Sequence, residues 1–386
     1  MTFKHLFAQS LGADPERLHL AAHSHHLWPD ASFEGQVECW RDAAQLADSK
    51  WDKVMGEVWP EAQAHVAREL GSETLNAVVF ASNTHDLIIR LVAATPRGDA
   101  RPLRILTTTG EFHSARRQFA RWEEAGEVSL TCIDPFPSAG FSDRFLNAAR
   151  GGHDLIFVSH VLFGSGHIFQ AVEELADLGR PGGPWVVIDG YHAFMALPQP
   201  LGREAAQSAF YLAGGYKYAM AGEGCAFMHA PAGFGPRPPL TGWYAEFEDL
   251  SLPPGQVGYA PDARRFMGAT FDPSGLYRFN AVQRMLLDHG LDTRRVSAHI
   301  RGLQERLLDA VNDTVLDRAE LLNPLAEGAH ARFMAFRSEH AQRWSTELKA
   351  VNCITDVRGD VLRIGLALYH DESDVERFAA LAGGLR

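Results

Sequence analysis

Long apolar runs, paired cysteines and blocks of positive charge are all missing from this chain of 386 residues. No stretch approaches the roughly 20 apolar residues that span a bilayer, and the opening MTFKHLFAQSLGADPERLHL holds no uninterrupted apolar core of signal-peptide length. A soluble, unprocessed protein with no membrane partner is expected. The four cysteines, Cys39, Cys132, Cys225 and Cys353, lie far apart with no CxxC pair, which excludes a zinc ribbon and a secreted disulfide framework. They read as reduced thiols of a cytoplasmic protein. The net charge is −12 and no run of five basic residues occurs, so nothing is available to grip nucleic acid or acidic lipid. A small-molecule partner fits better.

What is present is apolar content, 46%, enough for one large core and a smaller one. From Ser32 to Gly71 the apolar spacing is helical. Seven strand-length runs follow: Ala77 to Ala81, Leu103 to Thr108, Val128 to Ile133, Asp154 to Ser159, Trp185 to Asp189, Ala209 to Ala213 and Cys225 to Met228. Helical segments such as His85 to Ala94, Glu111 to Ala125 and Ile168 to Gly179 lie between the first five, the alternation of a largely parallel α/β sheet. The link GGYKYAMAGEG is too short for a helical crossover, so the last two strands should pair antiparallel. From about Ala230 to Gly275 a Pro- and Gly-rich passage reads as a long ordered loop or a domain boundary. Beyond it, helices near Phe279 to His289, Thr293 to Val311, Ser338 to Lys349 and Ser373 to Ala382 flank strands near Arg332 to Phe336 and Val361 to Leu366. That pattern predicts a small C-terminal α+β domain, with boundaries at 1–20, 21–260 and 261–386.

In an open parallel sheet, ligands sit outside the carboxyl ends of the strands. VVID puts Asp189 at such an end, and His192 follows in DGYH. The next strand leads into Gly214, Gly215, Tyr216, Lys217 and Tyr218, and a lysine so placed can form an imine with an aldehyde cofactor. An acid for a pyridinium nitrogen and an imine-forming lysine are the two groups that pyridoxal phosphate (PLP) chemistry requires. Taken singly, Asp189 is equally a strand-end cap and Lys217 a surface lysine. Their order along the chain is what carries weight.

In that order the sequence resembles the PLP-dependent enzymes of fold type I, within them the class V aminotransferase superfamily, and it looks most like the kynureninase branch. DGYHAFMALP, GGYKYAMAGEG and VLRIGLALYH carry the resemblance. It implies a large domain with a mostly parallel seven-stranded sheet plus the small C-terminal domain, a PLP cofactor and a homodimer. Catalytic roles fall to Lys217, Asp189 and His192. Asn83, Thr84 and His85, at a helix start after the first strand, would cradle the cofactor phosphate, with Tyr216, Trp243 and Thr270 as further contacts, Thr270 from a partner subunit. Phe112 takes the place of a ring-stacking histidine; the alternative is a helix core residue. Arg363 would hold the substrate carboxylate, the alternative being an internal salt bridge. His23 and Ser24 would approach the substrate. His23, His25 and His26 lack a Cys or paired carboxylate to complete a metal site, so no metal is expected.

Met195, Glu223 and the histidine-rich N-terminal turn depart from the branch and put kynurenine itself in doubt. The expected activity is a PLP-dependent hydrolase or lyase that cleaves an amino-acid side chain through a Cα carbanion. A transaminase is the alternative, and a non-catalytic ligand-binding protein on the same fold is a third. Desulfuration needs a mobile nucleophilic cysteine, and Cys353 reads as structural.

Overall fold

The computed structural model describes residues 2–98, 101–247, 250–325 and 328–386. Its centre is a sheet whose strands fall where the apolar runs lie. A short strand β1 (Leu18–His19) precedes β2 (Val78–Ala81), β3 (Leu103–Thr108), β4 (Val128–Ile133), β5 (Leu155–Ser159), β6 (Trp185–Asp189), β7 (Ala209–Gly214) and β8 (Ala226–His229). The seven strands from β2 to β8 lie in the order β2-β8-β7-β6-β5-β3-β4. Strands β3 to β7 pair in parallel, and β8 runs antiparallel to both β7 and β2. The antiparallel turn between β7 and β8 is the one the short link predicts.

Every residue of β5, β6 and β7 is buried, as a sheet covered on both faces requires, whereas the edge strand β4 alternates toward solvent. The helix Thr84–Ala94 starts as anticipated: the Asn83 side chain accepts the Asp86 N–H at 2.9 Å. Between Ile168 and Gly179 only Val172–Ala176 is helical. The preceding residues are extended because Ile168 bridges Val161 and the Phe169 N–H donates to the His160 carbonyl. A helix at Phe141–Ala149, absent from the sequence reading, buries Phe141, Phe145 and Ala149 at a spacing of four. The Pro-rich passage is ordered around Arg265, which is 4% exposed and donates to the carbonyls of Pro231, Phe234 and Gly235.

The C-terminal part contains β9 (Glu320–Leu321), β10 (Phe333–Arg337), β11 (Cys353–Ile354), β12 (Asp356–Arg358) and β13 (Val361–Gly365). Four of these form an antiparallel sheet in the order β12-β13-β10-β9. Strand β11 instead pairs in parallel with β1, and the Gly365 N–H donates to the Leu20 carbonyl, so the segment around residue 20 is sewn to the C-terminal part. A small apolar cluster that includes Val161, Ala193, Leu197, Phe333 and Val361 joins residues of the loops after β5 and β6 to the small sheet. Among the described residues no helix is long and apolar enough to cross a membrane.

Candidate active site

The carboxyl ends of β2, β3, β5, β6 and β7 open onto one cavity of about 510 Å³. Each strand delivers a side chain in the residues just beyond its last apolar position. Asn83, Thr84 and His85 follow β2; Phe112 follows β3; Ser159 ends β5; Asp189 ends β6, with Tyr191 and His192 next; Tyr216 and Lys217 follow β7. The opposite wall comes from His23, Ser24 and His25 and from Arg358 and Arg363 of the small sheet. Of the residues anticipated from sequence, Trp243 and Thr270 do not reach it. Trp243 is 43% exposed and packs on Tyr244 and Phe247, and Thr270 is exposed.

Lys217 and His192 are in direct contact, Nζ to Nε2, at 2.6 Å. Burial first, then the neighbouring Lys217 and Arg363, holds His192 well below its ordinary range, so the imidazole is neutral. An Nε2 that accepts from Nζ leaves the ring proton on Nδ1, which faces the Tyr218 hydroxyl at 3.5 Å. Lys217 itself is drawn down to about 7, chiefly by burial, with Asp189 opposing and Arg363 and Arg358 adding to the fall. Its Nζ lies 5.0 Å from the Tyr191 ring centroid and 5.6 Å from that of Phe112. Asp189 moves the other way: burial raises it against the pull of the Tyr191 N–H, which donates to Oδ1 at 3.0 Å, and of Lys217. Gly190 follows Asp189 of necessity, since a Cβ there would stand 1.9 Å from the Tyr211 ring.

Behind this floor lies Glu111, fully buried, which the sequence reading did not single out. It accepts from the Thr108 hydroxyl at 2.6 Å, from the Ser159 hydroxyl at 2.5 Å and from the Ser159 N–H at 3.2 Å. Burial nevertheless pushes it up to about 7.

On the other wall, Arg363 is at once the cavity arginine and a salt-bridge partner. Its guanidinium donates to Asp356 and to the Phe163 carbonyl, while the buried Nε has no partner among the described residues. Arg358 lies 3.1 Å from the other Asp356 oxygen. His23 is wholly buried, stacks on Phe333 at 4.7 Å and sits 3.6 Å from Asp356. Burial, then Arg363 and Lys217, keeps it neutral. Asp356 and Arg358 are further residues the sequence reading missed. A signal was present: ITDVRGDVLRIG is a hairpin about Gly359 and Asp360, and its register sets Asp356 opposite Arg363.

The four cysteines take no part. Cys225 and Cys353 are buried and burial pushes both thiols up to about 12, Cys39 is partly buried in a helix, and Cys132 lies on the edge strand β4.

Comparison with known proteins bears on this arrangement. Residues 296–381 match the family model of the kynureninase C-terminal domain. No curated protein matches the sequence. The chain superposes on the cysteine desulfurase from Thermococcus onnurineus NA1 with a TM-score of 0.77 at 18% identity, covering 98% of this chain and 96% of that one. It has the fold of these structures, the type I fold of PLP-dependent enzymes. The cystine C-S lyase C-DES, in complex with its reaction product cysteine persulfide, gives a TM-score of 0.78 at 14% identity over 98% of this chain and 100% of that one. The cysteine desulfurase CsdA from Escherichia coli gives 0.76 at 15% identity, over 97% and 96%. In this type I fold the cavity lies at the carboxyl ends of the parallel strands, where an open α/β sheet presents its ligand site.

Proposed function

We propose that the protein is a PLP-dependent enzyme that cleaves the side chain of a small α-amino acid, by hydrolysis or elimination, and that it works as a cytoplasmic homodimer. The observation that carries this reading is the buried Lys217, its Nζ against a neutral His192 in a cavity that also holds Asp189. The residues present fit the cofactor. The helix start at Thr84 offers backbone N–H groups that have no partner within the helix, and the buried Nδ1 of His85 beside them has none either. Asp189 would pair with the pyridine nitrogen and Phe112 would cover the ring face. Trp243 and Thr270 lie away from this end of the cavity, so they would reach the phosphate only from a second copy.

PLP, when bound, supplies an electron sink for the pair left on Cα after a bond to it breaks. The chain's own residues do the rest. Arg363 binds the α-carboxylate, and Asp356 holds the guanidinium in place beneath it. Lys217 Nζ, drawn toward neutrality, takes the Cα proton and returns it, and His192 keeps Nζ aimed. Among the described residues no cysteine lines the cavity, so a reaction that passes sulfur to an enzyme thiol lacks its nucleophile here. Elimination or hydrolysis at the side chain needs no such thiol.

The test is the visible spectrum of the purified protein with PLP, before and after a panel of amino acids that includes kynurenine and cystine. A lysine-bound PLP band that returns unchanged while product accumulates supports the cleavage reading. Conversion to the pyridoxamine form would make the protein a transaminase, and no band at all would overturn the cofactor assignment.

A further inference from the structure

A second cavity, of about 470 Å³, lies beside the small sheet and shares no lining residue with the first. Arg294, Arg301, Arg332 and Ser297 line it, and none of the described lining residues is acidic. Arg332 is the unusual member. It is 4% exposed, and its only hydrogen bond among the described residues runs from Nη2 to the Ser297 hydroxyl, 3.0 Å away. That hydroxyl already donates to the Ala196 carbonyl. The enclosed Nε of Arg332 has no partner among the described residues, and the guanidinium rests 5.3 Å from the Tyr218 ring centroid.

The other buried arginines are better served. Arg265 donates to three carbonyls, Arg278 to the Ala221 and Glu223 carbonyls and to Gln36, and Arg363 to Asp356 and a carbonyl. A buried guanidinium left with one neutral hydroxyl and an aromatic face is under-compensated, and its planar fork is shaped for two oxygens of one anion.

We propose that this cavity is a binding site for a small oxyanion, a phosphate or carboxylate group, with Arg332 as its principal partner and Arg294 at its mouth. The inference goes beyond the reading of the first cavity and does not depend on it. Tyr218 links the two: its hydroxyl faces His192, which contacts Lys217, so an anion on Arg332 sits two side chains from the catalytic amine.

The test is calorimetric titration of the full chain, with saturating PLP present, by sodium phosphate and separately by sodium acetate at constant ionic strength. Saturable binding of one equivalent is expected, from phosphate if the ligand is a phosphoryl group and from acetate if it is a carboxylate. Arg332→Gln should weaken it at least tenfold. Arg294→Gln, at an exposed position, should weaken it severalfold and serves if the first variant does not fold. No saturable binding of either anion, or binding unaltered in both variants, would overturn the proposal. So would binding lost in Arg363→Gln but kept in Arg332→Gln, which would put the anion in the first cavity.

Discussion

Lys217 Nζ and His192 Nε2 stand 2.6 Å apart, one drawn toward neutrality by burial and the other held neutral by it. A pair so arranged orients the amine without competing for its proton. If His192 acts by aiming Nζ, His192→Phe should lower kcat on the order of 10²-fold, and His192→Gln, whose amide oxygen can still accept, should recover part of it. Steady-state rates of the two variants decide the matter; equal losses would reduce His192 to packing.

Arg363 is expected to bind the substrate carboxylate through a fork that lysine cannot reproduce. Arg363→Lys should therefore raise KM about 10- to 100-fold, the worth of a charged hydrogen bond, with a smaller change in kcat. A kcat loss at unchanged KM would remove Arg363 from substrate binding and leave it as the partner of Asp356.

Glu111 gives a stability signature. Its folded value, about 7, lies above the ordinary 4.5, so between those pH values the folded chain holds a proton the unfolded chain has lost. The stability this group contributes is complete below about pH 4.5 and declines as pH rises to about 7. Across that window the decline amounts to about 3 kcal/mol at most. Glu111→Gln should flatten that part of the profile, measured by urea denaturation from pH 5 to 7.5. A variant with the same slope as the parent would show that Glu111 is ionised throughout.

Thiol chemistry should be dispensable. Cys353→Ala and Cys225→Ala are expected to keep turnover within about twofold per active molecule, with cavity costs to stability of about 1 kcal/mol each. In the native protein a thiol reagent should label Cys132, the exposed cysteine, ahead of both buried ones. Loss of turnover in Cys353→Ala, with the fold intact by circular dichroism, would restore a cysteine-dependent reaction.

Gly365 shows how closely the two parts of the His23 and Arg363 wall meet. A Cβ at this position would lie 2.1 Å from His23 Nδ1, with the His23 backbone nitrogen at 3.0 Å, so the ring cannot move aside freely. Gly365→Ala should cost about 1 to 3 kcal/mol and displace His23 from the cavity. An unchanged denaturation midpoint would mean the wall is softer than its packing implies.

Much of the large sheet was legible because its strands are continuous apolar runs, and the residues one to four positions past them, Asn83, Asp189, His192 and Lys217, had to converge once those strands ran parallel. The segment from Ile168 read as helix since periodicity says nothing of the backbone partner that holds it extended. Glu111 was passed over because it read as the first residue of a helical segment, Glu111 to Ala125, and only the folded sheet brings Ser159 against it. Asp356 required the hairpin register. Arg332 required the juxtaposition of a strand start with Tyr218, more than a hundred residues away in the chain, which no local pattern encodes.

The pairing of β1 with β11 bears on how the molecule is made. Leu18 finds its partner at Cys353, so on the ribosome the N-terminal segment must wait for the intervening chain, about 20 to 70 s at ordinary elongation rates. Throughout that interval the parallel sheet, with Asp189 and Lys217, can assemble without either end of the chain. His23 and Arg363 are brought together only after Arg363 itself has been made, so the wall proposed to recognise substrate is completed later than the parallel sheet.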